Sequence, residues 1–171
     1  SHLVLELLKA GKTVRALKRS SSNTSVVGSL CSWYNLDTEK LLRNLTWVDG
    51  DLLDPSSIDK ALDGIKEVYH CAAMVSFKPA DRESMIQNNV NGTANLVNAC
   101  LYSRIETLCH VSSVAAFGKP SQGLEVDEES PRDSETGQSG YSTSKYYSEL
   151  EVWRGITEGL NAVIVNPSII L

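Results

Sequence analysis

Short apolar runs alternate along the chain with segments of helical period. "HLVLELLKAG" (2–11) sets Leu3, Val4, Leu7 and Leu8 at helical spacing and stops at Gly11. "TVRALKR" (13–19) reads as a short strand, and residues 20–44 as a long crossover, part of it helical. "LTWVDGDL" (45–52) is the next strand. "DPSSIDKALDG" (54–64) carries helix punctuation, with Asp54 as N-cap, Pro55 at the first helical position and Gly64 as the stop. "EVYHCAA" (67–73) is a strand. Across 80–103, Ile86, Val90, Ala94, Val97 and Leu101 recur at helical spacing. "TLCHVSS" (107–113) is again a strand, and a polar loop fills 118–140. "YSTSKYYSELEVWRGITEG" (141–159) is a helix ending at Gly159, and "NAVIVNPSIIL" (161–171) holds the last strand and the residues after it.

Strands alternating with helices imply crossover units. The expected fold class is therefore α/β, a doubly wound parallel sheet with helices on both faces. Ligands in such sheets bind beyond the carboxyl ends of the strands. No internal repeat or linker divides the 171 residues, so one domain over 1–171 is expected.

Composition narrows the class. Hydrophobic residues make up 42% and charged residues 22%, as in ordinary soluble domains. The net charge of −5, with no Lys/Arg run longer than two, argues against nucleic acid as a partner. No apolar run has the length of a membrane span. The cysteines (Cys31, Cys71, Cys100 and Cys109) make no C-x-x-C pair. They are expected to be reduced and buried, with no metal site and a cytoplasmic setting. His70 and Cys71 are expected to be strand residues packed in the sheet.

The candidate chemistry falls at two element ends. The apolar strand 107–111 runs into Ser112 and Ser113, placing hydroxyls at a carboxyl end. Tyr141 and Lys145 open the next helix and, at i and i+4, share a face. An ammonium beside a phenol favours its ionised form, and a serine hydroxyl can hydrogen-bond a carbonyl or alkoxide oxygen. Such a group suits proton transfer to oxygen while a hydride moves at carbon. Spacing alone equally admits a helix-start tyrosine, a solvated lysine and two turn serines.

The neighbouring segments carry a resemblance. "HVSSVAAFG" followed by "YSTSK" resembles the extended short-chain dehydrogenase/reductases, the NAD-dependent epimerase/dehydratase group. "DGDLLD" (49–54), "VYHCAA" (68–73), "NNVNGTANLVNAC" (88–100), "DEESP" (127–131) and "VNPSII" (165–170) keep that family's order along essentially the whole chain. The resemblance implies a Rossmann-like domain. It implies Ser113 as the catalytic serine, Tyr141 as general acid/base and Lys145 as the residue holding the nicotinamide ribose beside the tyrosine. It also implies Asp51 and Leu52 as adenine contacts, Ala72 and Ala73 as small residues under the cofactor, and Pro167 near the nicotinamide. Asn89 matches the helix asparagine of the cofactor region, which can also be structural.

The family's opening strand and its Gly-x-x-Gly-x-x-Gly phosphate turn have no counterpart here, nor does its later substrate-binding part. The sheet is therefore expected to be incomplete, with its first, central strand missing. A gap of roughly 9–10 Å should separate the strands at 13–18 and 67–73. The 171 residues by themselves are not expected to turn over substrate.

Two enzymatic readings remain. Related 4,6-dehydratases carry an Asp-Glu pair after the catalytic hydroxyl residue, whereas this chain has Val114 and Ala115, which disfavours elimination. A ketone/alcohol oxidoreductase similar to dihydroflavonol reductases and 3β-hydroxysteroid dehydrogenases is preferred, since "TVRALKRS" is closer to them. A nucleotide-sugar epimerase is the alternative, and an inactive cofactor-binding fragment a third. Arg19 matches the reductase arginine that meets a 2′-phosphate, so NADP is expected, with NAD possible. The expected partners are a small-molecule substrate and a second copy of the protein. Dimer contact is expected through helices matching 82–103 and 141–158, where Tyr147, Leu150 and Trp153 form an apolar face.

Overall fold

The computed structural model describes residues 1–76, 78–118, 127–128, 130 and 138–168. Most of the polar loop, part of DEESP and the end of VNPSII lie outside the described residues. Contacts divide the chain into two compact units, Ser1–Ala61 and Leu62–Leu171.

The first unit holds α1 (His2–Lys9), β1 (Val14–Lys18), α2 (Ser25–Trp33), α3 (Thr38–Leu42), β2 (Leu45–Asp49) and most of α4 (Pro55–Leu62). β1 and β2 pair in parallel, with Val14 opposite Leu45 and Lys18 opposite Asp49. Helix α1 buries Leu5 and Leu8 and leaves Leu3 largely exposed, so its inner face is turned toward Leu5 relative to the predicted stripe. Its stop is as read: Gly11 takes φ +77, a left-handed conformation open to glycine at little steric cost. The start of α4 also agrees with its sequence signal. Asp54 Oδ1 accepts from the Ser56 backbone N–H at 3.0 Å and Pro55 occupies the first turn, where no N–H is needed.

The second unit holds β3 (Glu67–His70), α5 (Arg82–Tyr102), β4 (Thr107–Val111), α6 (Gly140–Thr157) and β5 (Ala162–Val165), with single 3₁₀ turns at Pro79–Asp81 and Val114–Ala116. Its sheet is parallel, in the order β3-β4-β5. The two parallel sheets are Rossmann-like, in the strand pairings that a doubly wound fold without its first strand would have. Among the described residues, no pairing joins them.

Two sequence expectations need correction. Strand β3 stops at His70, three residues early, and Cys71 is exposed rather than packed in the sheet. The ladder with β4 ends at the His70–His110 register, and beyond it the chain leaves the sheet. Cys109 is also only partly buried, whereas Cys31 and Cys100 are enclosed. In α5 the buried stripe runs through Met85, Asn89, Thr93, Leu96, Val97 and Cys100. Of the predicted positions only Val97 is fully enclosed, because the polar Asn89 and Thr93 take core places.

Those polar residues have partners. Thr93 Oγ1 lies 3.0 Å from His70 Nε2 and donates to the Asn89 carbonyl at 2.7 Å. The packing of α5 against α6 is tight enough to require a glycine. A Cβ on Gly155 would stand 2.6 Å from Val97 Cγ1, inside any real carbon–carbon contact.

Candidate active site

Four segments of the second unit meet at the carboxyl end of β4. Ser113 comes after the strand in extended conformation, and its Oγ accepts from the Ala115 N–H at 3.2 Å, capping the short turn. Helix α6 begins one residue earlier than predicted, capped by Ser139, whose side chain accepts from the Ser142 N–H at 3.0 Å. Tyr141 therefore sits in the first turn, half-buried, and Lys145 one turn further on.

Lys145 is not a solvated lysine. It is 3% exposed, and its Nζ donates to the Val111 carbonyl at 2.8 Å. That bond holds the ammonium at the last residue of β4, two residues before Ser113. Burial pushes the Lys145 pKa below the ordinary lysine value, while the charges of Glu149 and Cys71 act in the opposite direction.

Asn89 braces this end of the fold. Its Oδ1 accepts from the Met74 N–H at 2.7 Å, and its Nδ2 donates to the Met74 carbonyl at 2.9 Å and to Ser144 Oγ at 3.0 Å. The asparagine thus ties the segment after β3 to the first turn of α6. Ala72 and Ala73 lie in that segment and are exposed. Pro167, two residues past β5, is half-buried, and its carbonyl accepts from the Val114 N–H at 3.2 Å.

Two groups near this centre escaped the sequence reading. Glu149, 9% exposed, continues the four-residue spacing of Tyr141 and Lys145, and that period was its signal. Its Oε1 accepts from Asn166 Nδ2 at 2.5 Å, and the same amide donates to the Ser113 carbonyl at 3.2 Å.

The first unit carries a second feature, a groove of about 610 Å³ at the carboxyl ends of β1 and β2. Arg19, Ser20, Ser21, Asp51, Ser57 and Lys60 are among its lining residues. Arg19 and Asp51 are thereby brought to one place. Leu52 lies in the same turn without lining the groove, and Lys60 was not anticipated. Lys18 forms an ion pair with Asp49, which leaves Arg19 as the strand-end cation facing the groove. The Asp51 carboxylate caps its own turn, accepting from the Leu53 N–H at 2.9 Å. Hydroxyls, a guanidinium and an ammonium there are donors that a nucleotide phosphate can use, while Asp49, Asp51 and Asp54 line the same groove as acceptors. Among the described residues no cluster of His, Cys, Asp and Glu could hold a metal ion, and no helix is long and apolar enough to cross a membrane.

The order of segments and the parallel sheets are those of a Rossmann-like fold. The profile of the NAD dependent epimerase/dehydratase family matches residues 1–170, and the chain belongs to that family. A putative dihydroflavonol 4-reductase of Synechocystis sp. (strain ATCC 27184 / PCC 6803 / Kazusa) is 35% identical over 170 residues, 98% of this chain and 45% of the relative. The crystal structure of gox2253 shares 37% identity at a TM-score of 0.79, covering 96% of this chain and 46% of that one. A UDP-glucose 4-epimerase of Thermus thermophilus, solved with NAD, has the same fold at a TM-score of 0.73 and 24% identity, over 96% and 50% of the two chains. The chain spans about half the length of the curated relatives it matches over most of its residues.

Proposed function

We propose that the protein to which this chain belongs is an oxidoreductase of the extended short-chain type, acting on a ketone or secondary alcohol of a small molecule. The observation that carries this reading is the buried Lys145 ammonium on the Val111 carbonyl, between Tyr141 on its own helix and Ser113 beyond the strand. A bound nicotinamide supplies or accepts the hydride. The Tyr141 hydroxyl gives a proton to the substrate oxygen on reduction and takes it back on oxidation. Ser113 donates a hydrogen bond to that oxygen, and the Lys145 charge stabilises negative charge developing on the phenol oxygen. Ala72 and Ala73, with no side chain beyond Cβ, would leave room for a cofactor at the end of β3, and Asn89 and Pro167 would stand on its protein side. The reductase names among the relatives more than 30% identical favour this reading. An epimerase of the same family is the second reading, supported by the fold of the epimerase neighbours.

Arg19 in the groove favours NADP over NAD, with Asp51 and Leu52 toward the adenine. Residues 1–171 belong to a cofactor-binding domain of the Rossmann type. The protein is cytoplasmic and pairs with a second copy through α5 and α6.

Tyr141→Phe in the full-length protein removes one hydroxyl and should reduce turnover by roughly 10²–10⁴ while cofactor affinity holds. Lys145→Met should damage both. Near-full activity of Tyr141→Phe would sink the mechanism. For the cofactor, titration of NADP(H) and NAD(H) should show tighter NADP(H) binding, reversed or equalised by Arg19→Glu. Equal binding by the unsubstituted protein would remove the preference.

A further inference from the structure

Lys145 is buried, yet the reading above needs it charged. A buried ammonium keeps its proton only if something nearby offsets lost hydration. The Val111 carbonyl supplies one acceptor. The other charged and titratable groups that act on this region are few. From β3 and its exit come His70 and Cys71, from β4 come Cys109 and His110, and from α5 comes Arg82, whose Nη2 donates to Thr143 Oγ1 at 3.4 Å. On α6 itself are Tyr141 and Glu149, each one turn from the lysine. Both histidines are buried and held neutral near pH 7, His70 down at about 4 and His110 down at about 2. Glu149 is therefore the carboxylate available to balance the charge.

Glu149 is also held. Asn166 donates from one amide nitrogen to Glu149 Oε1 at 2.5 Å and to the Ser113 carbonyl at 3.2 Å. One asparagine, placed just past β5, thus couples the lysine's helix to the backbone of the serine. Partners that fix the orientation of a site's reacting groups are worth as much as those groups' own placement.

We propose that Glu149 and Asn166 are positioning residues behind the Ser113–Tyr141–Lys145 centre, Glu149 as the counter-charge to Lys145 and Asn166 as the strut that carries α6 to the Ser113 main chain. This inference rests on the oxidoreductase reading of that centre. The two roles separate experimentally. Glu149→Gln keeps an acceptor for Asn166 but deletes the charge, whereas Asn166→Ala keeps the charge and cuts the strut.

The test uses the full-length protein with ¹³C-labelled lysine, tracking the Lys145 Cε signal against pH, together with pH profiles of turnover. Glu149→Gln should lower the Lys145 midpoint by about one pH unit, the size of one close charge interaction. The alkaline limb of the turnover profile should move down by the same amount. Asn166→Ala should leave the midpoint in place and lower turnover about tenfold at every pH, with KM changed less than kcat. An unmoved midpoint in Glu149→Gln overturns the counter-charge, and full turnover in Asn166→Ala overturns the strut. Tyr141→Phe is run alongside. If it is inactive while Glu149→Gln leaves midpoint and profile unmoved, the inference fails and the oxidoreductase reading stands. If Tyr141→Phe keeps full activity, that reading fails and the inference with it. Where Glu149→Gln does not fold, Glu149→Asp must give a smaller midpoint shift in the same direction.

Discussion

Helices α1 and α6 bury opposite kinds of residue. Helix α1 turns Leu5 and Leu8 inward, each at most 2% exposed, and sets Glu6 and Lys9 outside as an ion pair at 2.8 Å. Helix α6 turns Ser144, Lys145, Ser148 and Glu149 inward, with Val152 as the one fully buried large apolar side chain among them, and leaves Tyr147, Leu150 and Trp153 at 39, 42 and 54% exposure. The first arrangement comes from hydrophobic burial alone. The second runs against it, and polar groups so enclosed must find partners or destabilise the fold. Ser144 Oγ donates to the Tyr141 carbonyl at 2.8 Å and accepts from Asn89, Lys145 has Val111, and Glu149 has Asn166, while Ser148 Oγ is buried with no hydrogen-bond partner among the described residues. Helix α1 is built for stability. Helix α6 accepts the cost of a polar interior, which is what a site that must hold charge out of water requires.

The sharpest test of the contrast removes an inward side chain from the stability helix. Leu8→Ala deletes three buried carbons from the first unit and should cost about 2–5 kcal/mol in urea unfolding. Ser144→Ala on α6 deletes one hydroxyl and leaves the Asn89 amide short of an acceptor, costing about 1–3 kcal/mol. If Ser144→Ala proved the more damaging, the division of labour between the two helices would be wrong.

The same contrast explains what could be read in advance. The cap and stop of α4 were legible because Asp54, Pro55 and Gly64 act locally, and the structure repeats them, with Gly64 at φ +71. The parallel pairing came from alternation and the family resemblance. The buried stripe of α5 was not legible, since Asn89 and Thr93 occupy core positions through specific bonds to Met74, Ser144 and His70. A period counted in apolar residues passes over them. The early end of β3 was missed because Cys71-Ala72-Ala73 looks like strand, while its pairing with β4 ends at His70–His110 even though β4 itself continues to Val111 beside β5. Glu149 stood in plain view at a spacing of four from Lys145, but a carboxylate on a helix is by default solvated. Only the Asn166 contact reveals otherwise.

Acid should expose the polar interior next. His70 and His110 stand opposite each other in the β3–β4 register, rings 5.0 Å apart, beneath α5. Burial, with the Lys145 charge, holds His70 down at about 4; burial, then His70 and Lys145, hold His110 down at about 2. The unfolded chain takes up both protons near pH 6.5, so the folded state is fully favoured above that pH and loses stability below it. Between about pH 6.5 and 4 the loss should be about 1.4 kcal/mol per pH unit for each imidazole. Neither ring nitrogen of His110 has a hydrogen-bond partner among the described residues, so His110→Phe leaves no polar group stranded. That variant should halve the slope measured by urea titrations between pH 7 and 5. A slope equal to that of the unsubstituted protein would mean that the pair is hydrated and titrates normally.

The smallest expected effect on stability falls on the outer face of α6, where Tyr147, Leu150 and Trp153 are exposed. Side chains that merely rest on their own unit would be missed on removal, whereas side chains waiting for a partner would not. Tyr147, Leu150 and Trp153 lie within two turns of one helix, each at least 39% exposed. Replacing Leu150 and Trp153 together by Gln should therefore change unfolding free energy by no more than about 0.5 kcal/mol, the range of ordinary surface substitutions. In sedimentation at micromolar concentration, the full-length protein should run as a dimer and the double variant as a monomer. A loss of about 2 kcal/mol or more with unchanged sedimentation would show that these residues belong to the unit's own core. Helix α6 would then be apolar on both sides of a polar strip, and its likeness to α1 would be closer than the exposures of its side chains indicate.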